Sequence, residues 1–242
     1  LTPEPMEDAN IASTMVFDPL GVCAGITPWN FPLSMPHWTV MPALMAGNSV
    51  ILKPSEKTPL VAQAYADLLM SFLPEDVLQV MHGDGEQGKA LVDADVNLIA
   101  FTGSRATGAH ILESAGSSLK RVILELGGKD PLIVLDDADI EAAAQFAAAN
   151  SFRNAGQVCV STERIYVQSQ VADAFRDRLV ELAKEVKVGD GCDEGIEVGP
   201  MIDGGQKTHV EKQLAGAVSD GAQVAFKSED LGGNYHPLTV LD

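Results

Sequence analysis

What constrains this chain most is a rhythm. Short apolar runs, too brief to be helices, recur at 21–26, 49–52, 77–81, 98–101 and 121–125, and each stops at turn-forming residues such as Thr27-Pro28, Lys53-Pro54 or Thr102-Gly103. Between them lie longer stretches with helical character: 36–47, closed by Gly47, then 59–72, 87–92 and 105–115. Strand and helix alternating over short connections predict a parallel α/β sheet, because a parallel pair needs a crossover and a helix is the usual crossover. The runs are continuously apolar rather than alternating, as strands covered on both faces would be.

The rhythm resumes after Gly127-Gly128. The spacing predicts a strand at 132–135, an Ala-rich helix over 140–153 capped by Asp139, a strand at 164–167 and an amphipathic helix over 171–186. A Gly/Asp turn at 189–195, a helix over 206–221 and a strand-like run at 237–241 follow. Residues 1–15 carry little periodicity and read as an arm or linker. The chain begins at Leu1 without a Met and stops just after an apolar run, which reads as a piece of a longer protein.

Charge and cysteine usage narrow the class. With 34 acidic and 16 basic residues the net charge is −18, which argues against nucleic acid or an anionic membrane as partner, since both need a basic face. The acidity reads as a well-solvated surface or as adaptation to a salty cytoplasm. No stretch has the length and apolar purity of a membrane span, and no signal peptide is seen. Three scattered cysteines, Cys23, Cys159 and Cys192, suit neither a disulfide framework nor a metal site and point to a reducing, cytoplasmic setting.

Three elements carry chemistry. In Asn154-Ala-Gly-Gln-Val-Cys159, Gly156 allows close backbone approach and Cys159 is a candidate nucleophile, whereas Cys23 reads as a small buried hydrophobe and Cys192 as a residue of a surface turn. Glu125, thirty-four residues before Cys159, ends an apolar strand in Glu125-Leu-Gly-Gly-Lys129. A carboxylate buried there would need a partner, such as Lys129, or a role as general base. Asn30, in Thr27-Pro-Trp-Asn-Phe-Pro32, sits between two prolines. Its amide is placed either to donate to a developing oxyanion or simply to favour the turn.

The motifs Thr-Pro-Trp-Asn-Phe-Pro, Leu-Lys-Pro-Ser-Glu, Phe-Thr-Gly-Ser, Glu-Leu-Gly-Gly-Lys and Gly-Gln-Val-Cys follow one another over residues 27–159. In that order they resemble the aldehyde dehydrogenase superfamily from about Val16 to the last residue, with Val198-Gly-Pro-Met-Ile202 similar to a further landmark. The resemblance implies a Rossmann-like, NAD-binding cofactor domain over 19–128 and an α/β catalytic domain over 129–242, both incomplete. An arm over 1–18 would pack on a partner subunit, so the intact protein would be a homo-oligomer.

The resemblance also implies roles. Cys159 would attack an aldehyde carbonyl, Asn30 and the Cys159 amide would hold the oxyanion, and Glu125 would activate the water that hydrolyses the thioester. Members that pass the acyl group to coenzyme A usually lack that glutamate. Lys53 and Glu56 resemble the pair that holds the adenosine ribose, and a glutamate there favours NAD over NADP, with NADP still admitted by Lys53. Ser104 would sit near the pyrophosphate. Ile26, Thr27, Trp29, Gly83, Gly103 and Leu126 would line the cofactor cleft or simply pack.

His37 and Trp38 follow the Asn30 turn on an expected helix and would face the aldehyde. Phe152 and Arg153 resemble the succinate-semialdehyde branch, in which an arginine holds the substrate carboxylate, although an arginine at a helix end also serves the dipole. A late Glu-x-Phe-Gly-Pro motif of the family is absent, and family chains are about twice this length. A chain so shortened would bind cofactor weakly or not at all.

Overall fold

In a computed structural model the structure describes residues 2–8 and 11–242. The chain forms two compact units, 1–126 and 127–242. The segment read as an arm or linker is largely a hairpin: β1 (Glu4–Asp8) pairs antiparallel with β2 (Ile11–Met15), while residues 1, 9 and 10 of that arm lie outside the described residues.

The first unit is a five-stranded, wholly parallel sheet. Its strands are β3 (Val22–Ile26), β4 (Ser49–Lys53), β5 (Leu78–Val80), β6 (Leu98–Gly103) and β7 (Arg121–Leu126), in the order β5-β4-β3-β6-β7. The chain runs outward from β3 on one side, then returns to lay β6 and β7 on the other, so a switch point lies between β3 and β6. Four helices make the crossovers: α1 (Ser34–Met45), α2 (Pro59–Met70), α3 (Gly85–Asp93) and α4 (Arg105–Gly116).

Successive strand residues point to opposite faces, and the two cores show it. Cys23 belongs to the apolar cluster under α1 and α2, with Val40, Leu52 and Tyr65. Its neighbour Ala24 belongs to the cluster under α3 and α4, with Leu91, Ile99 and Ile111. Leu52 and Ile99 are fully buried, each worth about 1.5–3 kcal/mol by area removed from water. Two glycines permit the close packing. Gly25 lets β3 meet α1, since a Cβ there would lie 2.7 Å from Thr39 Cγ2. Gly47 takes the left-handed conformation, φ +82°, that ends α1.

The expectation that the strands are covered on both faces holds for β3, β4 and β6 but fails at β7. This edge strand alternates, with Arg121, Ile123 and Glu125 on an exposed face and Val122, Leu124 and Leu126 on the half-buried face that packs on the α4 side of the core.

In the second unit β8 (Asp130–Val134) pairs in parallel with β9 (Thr162–Val167). Two helices, α5 (Ile140–Phe152) and α6 (Ala172–Glu185), bury Ala144, Ala147, Phe152, Phe175 and Leu179 in one cluster with Val134. Asp139 caps α5 as its position suggests, its carboxylate accepting from the Ala142 amide at 3.1 Å. Then come α7 (Gly204–Ser219), capped by Asp203, and an antiparallel hairpin of β10 (Val224–Lys227) and β11 (Thr239–Leu241). The apolar run at 237–241 contains β11, whereas the four-residue β10 falls outside the predicted elements. Among the described residues no helix is long and apolar enough to cross a membrane.

Candidate active site

In the first unit a cavity of about 760 Å³ opens at the carboxyl ends of β3, β4 and β6, over the switch point of the sheet. Such a crevice is where open parallel sheets hold ligands. Ile26, Thr27 and Trp29 border it from β3, Lys53 and Glu56 from β4, and Gly103 and Ser104 from β6. Gly83 and Leu126 are not on its wall; Leu126 instead packs against Gly108, whose added Cβ would lie 2.8 Å from Leu126 Cδ2.

Local physics explains the wall. Lys53 is almost wholly buried, which a charge tolerates only with a partner, and its ammonium lies 3.5 Å from Glu56 Oε2. The Lys57 ammonium stands 5.8 Å from the centre of the Trp29 ring, within cation–π range. Ser104 is the N-cap of α4: its hydroxyl accepts from the Thr107 amide at 3.1 Å and lies 2.8 Å from the Thr107 hydroxyl. The positive end of that helix therefore points at the cavity, a natural seat for an anion. At Gly103 a Cβ would lie 2.5 Å from the Phe101 ring, so a side chain does not fit.

Much of this wall stands outside any sequence motif. Lys89 and Asp93 of α3 and Thr107, His110 and Ser114 of α4 also line it. Their three- and four-residue spacings place them on the facing stripes of two helices. That spacing was present in the sequence, but only the fold shows that the two stripes face each other.

Asn30 follows β3 in the bend at 29–31. His37 and Trp38 lie on the outer side of α1. His37 Nδ1 is 3.2 Å from the Tyr65 hydroxyl, and Trp38 is 66% exposed. Glu125 is exposed on β7, so the burial cost read from its apolar neighbours does not arise in this chain. Lys129, its candidate ion-pair partner, is held by Glu163.

In the second unit α5 ends at Phe152, which is buried in the core, and Arg153 beside it is exposed. A single 3-10 turn, Arg153–Gly156, then reverses the chain through three consecutive left-handed residues: Asn154 (φ 52°), Ala155 (φ 56°) and Gly156 (φ 74°). Glycine and asparagine accept that conformation readily, whereas alanine is held there at a cost of order 1–3 kcal/mol. Such strain persists only where the surroundings impose it. Gln157, Ser151 and Ser161 do so through hydrogen bonds to Asn154 O, Thr162 O and Asn150 O. Cys159 emerges from this turn half-buried. The other thiols differ: Cys23 is enclosed in β3, where burial pushes its thiol upward, and Cys192 is exposed in the 189–195 turn. Among the described residues no group of three or more His, Cys, Asp and Glu is placed to hold a metal ion.

A model of the "Aldehyde dehydrogenase family" matches residues 3–242. The chain belongs to the aldehyde dehydrogenase family. It is 40% identical, over 98% of its length, to the NADP(+) succinate-semialdehyde dehydrogenase GabD of Escherichia coli strain K12, of which it covers 50%. It is 41% identical, over 94% of its length, to a glutarate-semialdehyde dehydrogenase of Pseudomonas putida, of which it covers 48%. Among solved structures it superposes on a Staphylococcus aureus betaine aldehyde dehydrogenase in complex with NAD+ with a TM-score of 0.92. That match has 35% identity and covers 99% of this chain and 50% of the other. The Escherichia coli lactaldehyde dehydrogenase gives a TM-score of 0.94 at 36% identity, covering 100% of this chain and 52% of that one. The chain thus spans about half the length of the family relatives it matches.

Proposed function

We propose that the protein to which this chain belongs oxidises an aldehyde to the free carboxylic acid with NAD as acceptor, NADP also being used. The observation that carries this is one chain holding both a dinucleotide-sized cavity at a sheet switch point and a half-buried cysteine just beyond a strained turn. The cavity fits the cofactor in size and in charge. Glu56 suits ribose hydroxyls, the α4 N-terminus with Ser104 suits a pyrophosphate, and Ile26 and Trp29 supply an apolar wall.

In this reading the Cys159 thiolate attacks the carbonyl carbon and forms a thiohemiacetal. The Asn30 amide and the Cys159 N–H donate to the oxyanion, which is where fixed donors contribute most. A nicotinamide held in the cavity would supply the two-electron acceptor by which the Cys159 adduct is oxidised to a thioester. Glu125 then removes a proton from the water that attacks the thioester, which frees the Cys159 sulfur and releases the acid. The names of the relatives and the exposed Arg153 favour an ω-semialdehyde whose far carboxylate pairs with that guanidinium. A homo-oligomer in the cytoplasm completes the proposal: the β1–β2 hairpin suits a subunit contact, and a thiol nucleophile needs reducing surroundings.

The test is transient kinetics on the intact protein. Cys159→Ala should abolish NADH formation, while Glu125→Gln should keep a burst of NADH and lose turnover. Full steady-state turnover in Glu125→Gln would remove the base, and a product that forms only with coenzyme A would replace hydrolysis by acyl transfer. Unchanged kcat/KM for succinate semialdehyde in Arg153→Ala would remove the carboxylate contact.

A further inference from the structure

We propose that Gln157 is the positioning residue for Cys159, an assignment that rests on Cys159 being the nucleophile. A helix is ended by one left-handed residue, yet three follow α5. The surplus turn reverses the chain, and something must hold it. Gln157 is buried to 92%, and a buried amide is costly unless both of its ends are used. Here Nε2 donates to Asn154 O at 2.9 Å, inside the left-handed run, and Oε1 accepts from the Ile202 amide at 2.9 Å, forty-five residues later. The Asn154 side chain returns a bond, its Nδ2 donating to Gln157 O at 3.4 Å.

The far end is fixed in turn. The Met201 amide donates to Asn234 O at 2.9 Å, and Asp203 caps α7 by accepting from the Gln206 amide at 2.8 Å. Two residues beyond the cysteine, Ser161 is 1% exposed; its hydroxyl donates to Asn150 O at 3.2 Å and its amide to Val158 O at 3.2 Å. Cys159 therefore spans the gap between two buried polar anchors, and Gln157 is the one that ties it to a segment outside its own loop. A residue that merely filled the core would be served equally by methionine. A two-ended amide instead fixes direction, which a nucleophile requires and packing does not.

The test uses Gln157→Met, which keeps the volume and loses both bonds, and Gln157→Glu, which keeps the acceptor towards Ile202. In Gln157→Met the NADH burst rate should fall about 10²-fold, the loss expected from a displacement of about 1 Å, with the NAD dissociation constant unchanged. Alkylation of Cys159 by iodoacetamide, scored against the exposed Cys192 in the same molecule, should change by more than about fivefold. Gln157→Glu should regain burst rate relative to Gln157→Met as the pH is lowered towards the carboxyl range, where a protonated oxygen can donate to Asn154 O.

Wild-type burst and alkylation ratio in Gln157→Met would overturn the assignment. So would a lowered melting temperature with the burst intact below it. Should Gln157→Met fail to fold, Gln157→Glu decides by the same readings, and a pH response parallel to wild type overturns the proposal. Failure of the underlying reading is separate: it shows as aldehyde oxidation surviving in Cys159→Ala, which leaves the alkylation ratio still reporting on Gln157.

Discussion

At the scale of single residues, the proposed preference for NAD would turn on a charge balance between Lys53 and Glu56. The buried ammonium is held 3.5 Å from a carboxylate that is itself half in solvent. A second phosphate on the adenosine ribose would meet both charges, attracted by one and repelled by the other. At about 4 Å a charge pair is worth about 1 kcal/mol in bulk water and about 4 kcal/mol at a near-surface dielectric, and the half-exposed Glu56 carboxylate belongs near the lower figure. Glu56→Gln removes the repulsion and leaves the Lys53 ammonium available to an anion. The ratio of kcat/KM for NADP to that for NAD should therefore rise about five- to tenfold. A ratio that stays put, measured with both cofactors on the same preparation, would show that the preference is set elsewhere on the wall.

At the scale of elements, α5 and α6 are clasped as well as packed. Arg178 of α6 reaches Glu141, in the first turn of α5, with two bonds: Nε to Oε2 at 2.6 Å and Nη2 to Oε1 at 2.9 Å. The paired geometry is the strong form of this contact. Hydrogen bonding to Arg178 holds the Glu141 carboxyl below its ordinary value. A carboxyl lowered by folding contributes stability above the ordinary carboxylate range and loses it as the pH falls through the lowered value. In urea unfolding, wild type should be more stable than Glu141→Gln at neutral pH, and the two curves should converge in acid. A gap of constant size from neutral to acid pH would refute the clasp.

The same scale shows what the sequence could tell. The apolar runs of β3, β4 and β6 and the caps Asp139 and Gly47 were legible because each is a local rule: a buried strand, an N-cap, a left-handed stop. The motif around Cys159 was legible as a family resemblance, but its left-handed turn was not, because the force that bends Ala155 comes from Ser161, from Gln157 and through it from Ile202. Nor could sequence show that Glu125 is exposed. Whether a strand of apolar residues is central or at an edge depends on neighbours that the run itself does not name.

At the scale of the molecule, the net charge of −18 must be carried on the surface of 242 residues. Like charges at such an excess repel in the compact state and less so in the unfolded one. Salt acts on this in two opposite ways. It weakens the exposed ion pairs, such as Arg176 with Asp173 and Asp242, which are worth at most about 1 kcal/mol each. It also weakens the repulsion among the unpaired acids, which outnumber those pairs. The second effect should win, so the melting temperature should rise with sodium chloride, a salt chosen because chloride adds little of the surface exclusion that sulfate brings. The shape of the rise separates two origins of the acidity. Screening shortens the Debye length to about 3 Å by 1 M, beyond which little repulsion is left to remove. A melting temperature that levels off below about 1 M therefore marks an ordinary solvated acidic surface. One that keeps climbing above it marks a chain adapted to a salty interior, and one that falls from the first addition would show that the ion pairs, not the excess acids, govern the stability of the fold.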